Sequence, residues 1–166
     1  MTQQAIFGIS VLFGLMSWGI VAKQYIWPAL RDRPVGDALR PLLVFHSFRY
    51  IGLTFLMPGV VSSDLPVAFA GPAAYGDFIT AILALIALFL LPGVLGIVVT
   101  WAFTIVGSLD LINAFIAGNR VGLVPGQQGA MYFVPTVLVP LLLITHGLVF
   151  RILLRRARSG RGGVVP

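Results

Sequence analysis

The stretch PLLVFHSFRYIGLTFLMPGVV, Pro41 to Val61, is apolar enough to enter a bilayer and yet carries His46 and Arg49. As one helix its 21 residues would cover roughly 31 Å, close to the hydrocarbon thickness of a membrane. At helical spacing His46, Arg49, Tyr50, Leu53 and Met57 share one face. An arginine facing lipid there costs about 2.5 to 3.5 kcal/mol on insertion scales, so this face is expected to turn toward protein or water. Snorkelling of the Arg49 stem to a nearby interface is the plainer alternative.

The rest of the chain agrees with a membrane setting. Of 166 residues, 58% are hydrophobic and 10% charged, and the mean hydropathy is +1.01. Soluble domains carry about 25% charged residues, so this is an integral membrane protein. There is no Cys, which excludes disulfides, thiolate metal sites and cysteine nucleophiles. The acids are five Asp and no Glu, so paired-carboxylate catalysis has little raw material. A net charge of +6 beside apolar spans points to the bilayer and its anionic lipid headgroups, not to nucleic acid.

Hydropathy and breakers predict an all-α bundle of five transmembrane helices, at 5–22, 41–61, 75–91, 95–117 and 131–150. Residues 23–40 read as a loop with room for a short surface helix, and Trp18, Tyr25 and Trp27 lie near an interface. SSDLPVAFAGPAAYGD, 62–77, reads as a surface loop or lid that ends on Asp77 as the cap of the third helix. Pro92, Gly93 and Gly96 divide the apolar run 78–117, and Pro135 and Pro140 interrupt the last span. Residues 1–150 make one domain, and 151–166 a basic, disordered cytoplasmic tail for anionic headgroups. Five spans put four basic residues of 23–40 and five of the tail on one side, against Arg120 on the other. The positive-inside bias then gives a multi-pass protein of a bacterial-type cytoplasmic (inner) membrane, N-terminus outside and C-terminus inside.

Few residues could carry chemistry. His46 and His146 fall at matched depths, and on neighbouring helices they could meet. Together with Arg49 and Tyr50 they are the candidate ligand-binding set, for a quinone or, with both imidazoles axial, for haem b. No other metal site is expected and no cofactor is required. The structural alternative leaves each histidine in an ordinary polar contact. Asp110 and Asn113 are candidates for a proton or polar path, although Asp110 looks a turn or more from Arg49 in depth. Thr100, Thr104, Gly107, Leu111, Ala114 and Gly118 form a face of mostly small residues suited to close helix contact.

RYIGLTFLMPGV followed by LPVAFAGPAAYGDFITAILALIAL resembles the pattern of DoxX-like small bacterial membrane proteins over residues 41–91. The resemblance implies a four-helix bundle and a role beside quinone-linked oxidoreductases. The chain departs from the pattern in the helix before Pro41 and in Asp77, where a Glu is often seen. Three functions follow from these readings. The first is a non-catalytic subunit or accessory protein of a membrane complex, favoured by the scarcity of polar residues. The others are a redox-linked quinone- or haem-binding protein and a small proton- or solute-coupled transporter.

Overall fold

A chain this apolar must satisfy its backbone within itself, and helix is the conformation that does so. The computed structural model describes residues 1–161. Among them are six α-helices: α1 (Gln3–Val21), α2 (Trp27–Leu30), α3 (Val35–Ser47), α4 (Val67–Leu90), α5 (Val94–Arg120) and α6 (Val139–Arg161). A π turn, Ala22–Ile26, joins α1 and α2 into one rod, and a second, Val134–Leu138, leads into α6. α3 passes directly into a 3-10 helix, Phe48–Leu56.

Four units are long and apolar enough to cross a membrane: Gln3–Leu30, Val67–Leu90, Val94–Arg120 and Val134–Arg158. The predicted five spanning helices are therefore corrected to four, and 41–61 is the one that is not a single long helix. It is no single α-helix, because α3 ends at Ser47 and the backbone tightens beyond it. A 3-10 helix turns every three residues, so every third side chain faces one way. Arg49, Gly52 and Phe55 are its buried set. Tyr50 and Met57, placed beside Arg49 by the α-helical period, are 51% and 53% exposed instead.

Other boundaries move for local reasons. The segment 23–40 is mostly helix, since α2 continues to Leu30 and α3 begins at Val35. α4 begins at Val67, eight residues before the predicted start at 75. The small residues that suggested a loop are buried helix contacts there, namely Ala70, Ala73 and Ala74. Asp77 accordingly sits well inside α4 and caps nothing. α6 runs on to Arg161, through the first part of the predicted tail, while 162–166 lie outside the described residues.

The two ends of the bundle differ. At one, the guanidinium of Arg151 lies 3.9 Å from the Trp27 ring centre and that of Arg155 4.8 Å, a cation–π arrangement. Arg40 Nη2 donates to the Leu91 carbonyl at 3.0 Å beside them in the chain's α4–α5 turn. At the other end the Gly126 N–H donates to the Gln3 side chain at 3.3 Å, and the Ala130 N–H to the Val60 carbonyl at 2.9 Å. α3 and the 3-10 helix thus carry the chain back from the basic end to the far end. Each end has its own apolar core, one around Leu39, Leu43, Phe103 and Val149, the other around Phe55, Phe69 and Met131. A polar layer lies between them.

Candidate functional site

Arg49 is the centre of that layer. It leaves the 3-10 helix on the buried side and is 4% exposed. Nε donates to Asp77 Oδ1 on α4 at 2.6 Å, and Nη2 donates to Asp110 Oδ2 on α5 at 2.6 Å. Nη1 donates to the Gly107 carbonyl and lies 3.3 Å from His146 Nε2. One guanidinium fork therefore ties the 3-10 helix, α4, α5 and α6 together. Buried charge of this kind is tolerated only when paired and hydrogen-bonded, and both conditions are met.

Three glycines let the backbones come close enough. A Cβ on Gly52 would collide with the Asp77 side chain, and one on Gly76 with the Asp110 carboxylate. On Gly107 it would lie 2.7 Å from the His146 imidazole and from the Thr80 methyl. Each of the three segments around Arg49 thus carries one glycine where a neighbour's functional side chain rests. Gly107 belongs to the small-residue face foreseen on α5, of which Thr100, Thr104, Leu111 and Gly118 are also buried.

Behind Arg49 the two histidines are in contact, with ring centres 4.2 Å apart. Phe103 packs against both at 5.0 Å. The Thr145 hydroxyl lies 2.8 Å from the Leu141 carbonyl and 3.0 Å from His46 Nε2, and hydrogen-bonds to both. Arg49 can only donate, so His146 Nε2 accepts and its ring proton sits on Nδ1. The Nδ1 atoms of both rings are buried without a hydrogen-bond partner.

In front of Arg49 lies a cavity of about 560 Å³, lined by Asp77 and Asp110 and by Phe7, Phe55, Phe69 and Phe115. It reaches Gln4, Asn119 and Gly122 at the end away from the basic residues. Gln128 also lines it, 2% exposed, with Oε1 unpartnered. Neither histidine does.

The structure thus brings together His46, Arg49, His146 and Asp110, four of the predicted residues. It joins Arg49 and Asp110 directly, a pair that sequence depth left possible but not implied, because the arginine side chain spans the gap. Tyr50 stays on the outer side of the 3-10 helix, and Asn113 is exposed on another face of α5. The imidazoles touch each other and Phe103, leaving no slot between them for a macrocycle, so haem held by both does not fit. Sequence reasoning missed Asp77 as a partner of Arg49, though Gly76 beside it and Gly52 three residues after Arg49 were a readable sign of close approach. Gln128 left no such sign.

Residues 6–154 match the model of a family described as Domain of unknown function (DUF8737). This is not the DoxX-like family that residues 41–91 resemble. No curated protein and no solved structure matches the chain.

Proposed function

The chain belongs to the family described as Domain of unknown function (DUF8737), and we propose that the molecule is a small proton- or solute-coupled transporter of the cytoplasmic membrane. One observation carries this reading: the two carboxylates that hold Arg49 also line the cavity. A guanidinium is always charged, so it balances one carboxylate and leaves the second in excess. An excess charge in low dielectric has to be neutralised, by a proton or by a cation arriving through the cavity. One carboxylate occupied in turn by a proton and by a solute is the elementary unit of coupled transport. The positive-inside bias supports the basic end in the cytoplasm, the N-terminus outside, and the cavity serving the outer face.

The test is transport by the purified protein in liposomes loaded with a pH-sensitive dye. A panel of small amines, amino acids and sugars is added outside. At least one solute is expected to change internal pH beyond that of empty liposomes, and Asp110→Asn to abolish the change. A folded wild-type protein that couples no solute to protons would overturn the reading. An accessory-subunit role would then lead, supported by α1, which buries no side chain between Gln3 and Val21 and leaves its apolar length open to a partner.

A further inference from the structure

We infer that the cavity takes an amphipathic organic ammonium ion, a primary or secondary amine with an aromatic or branched apolar body. The inference rests on the transporter reading and adds the class of solute. Three buried or half-buried polar side chains line the cavity, and the two charged ones, Asp77 and Asp110, offer only acceptors when ionised. Asp77 gives only Oδ1 to Arg49 and Asp110 only Oδ2. Gln128 Oε1 is a buried acceptor with no partner. Leaving such a group unmatched costs free energy, and a ligand that brings N–H donors removes the cost.

Arg49 cannot serve an anion there. It does not line the cavity, and four of its five N–H groups are directed at Asp77, Asp110, the Gly107 carbonyl and His146. The charged and titratable groups around the excess carboxylate are Arg49 from the 3-10 helix, Asp77 from α4, Asp110 from α5 and His146 from α6, with His46 of α3 behind. None of them presents a free cation to the cavity. A carboxylate or a quinone would set its own acceptors against those of Asp77 and Asp110. The walls favour the same choice, since Phe7, Phe55, Phe69 and Phe115 can receive both an apolar body and, through their ring faces, a positive charge. A volume of about 560 Å³ lies within the usual range of small-molecule sites.

The probes are 2-phenylethylammonium, the neutral 2-phenylethanol and the anionic 3-phenylpropionate. Binding to the full-length protein in a maltoside detergent is followed by calorimetry in two buffers of different ionisation enthalpy. The ammonium is expected to bind at least about tenfold more tightly than the alcohol, with the propionate weaker still. Its binding is expected to release about one proton, the one it replaces on the excess carboxylate. Asp110→Asn leaves the Arg49–Asp77 pair balanced and should erase both the preference and the proton release. Gln128→Leu, which removes a lining amide that bonds to neither ion pair, should weaken the ammonium by about tenfold. Equal binding of the alcohol, or tighter binding of the propionate, would overturn the inference. If a neutral or anionic solute nevertheless moves protons in liposomes, the transporter reading survives and only the solute class falls. Failure of all three probes together with silent liposomes removes both.

Discussion

Arg49 decides whether the polar layer is an asset or a liability. Its guanidinium is bonded to two carboxylates at 2.6 Å, each 12–13% exposed at the side chain. Arg49→Gln leaves both acids buried against each other without a cation. Breaking a buried pair in this way costs about 3 to 5 kcal/mol, and thermal unfolding in detergent should show a correspondingly lower Tm. Arg49→Lys should recover little of this, because a single ammonium cannot span Asp77, Asp110 and the Gly107 carbonyl at once. Changing Arg49, Asp77 and Asp110 together to Leu, Asn and Asn removes every uncompensated charge. That triple variant should unfold above the Arg49→Gln protein, and a still lower Tm would mean that the loss is one of packing and not of charge. At this scale much was legible. Arg49 and Asp110 stand out in apolar sequence, and the depths of His46 and His146 match. Hidden was the reach of the side chain, since depth counted in residues takes no account of an arginine that extends between turns.

Elements obey their neighbours as much as their own periodicity. The tightening of α3 at Phe48 replaces a spacing of 3.6 with one of 3, which is why Arg49, Gly52 and Phe55 face inward and Tyr50 does not. No local propensity announces that change, and it goes with the close packing of Gly52 against Asp77. The start of α4 was misread for a related reason: AFAGPAAYG has the composition of a loop until α5 and the 3-10 helix are present to bury its alanines. Pro140 is the counterexample, since its consequence followed directly from covalent structure. It has no N–H for the Thr136 carbonyl, and α1 closes over that carbonyl at Gly14, where an added Cβ would also lie 3.0 Å from the proline ring. Gly14→Ala should therefore push α1 away from α6 and cost about 1 to 3 kcal/mol. Gly19→Ala, on the same rod with nothing within 4 Å of its added Cβ, should be neutral or stabilising by up to about 1 kcal/mol. Tm values of the two variants separate a packing glycine from a free one, and equal losses would refute the close contact. Gly107→Ala sets the same conflict against the His146 ring and Thr80 and should also destabilise by about 1 to 3 kcal/mol.

For the whole molecule the deciding quantity is the distribution of charge between its ends. The sequence placed the basic residues of 23–40 and of the tail together, and the stacking of Arg151 and Arg155 on Trp27 brings those segments to one end of the fold. The number of long spans was legible less well, because hydropathy sees apolar length and not whether one helix carries it. With the cavity at the opposite end, orientation fixes which compartment the cavity faces. The chain has no cysteine, so single introduced thiols report position without background. Ser63→Cys, exposed in the connection before α4, should react with a membrane-impermeant maleimide in intact cells. Asp32→Cys, exposed at the basic end, should react only after permeabilisation. The reverse pattern would turn the molecule over and put the carboxylates within reach of the cytoplasm. Protons would then be loaded from the side where basic residues were expected to meet anionic headgroups, and the charge asymmetry would no longer be explained by insertion. Labelling at both sites from outside would separate the two ends from the two faces of the membrane, leaving the cavity open to lipid and an accessory role as the simpler account.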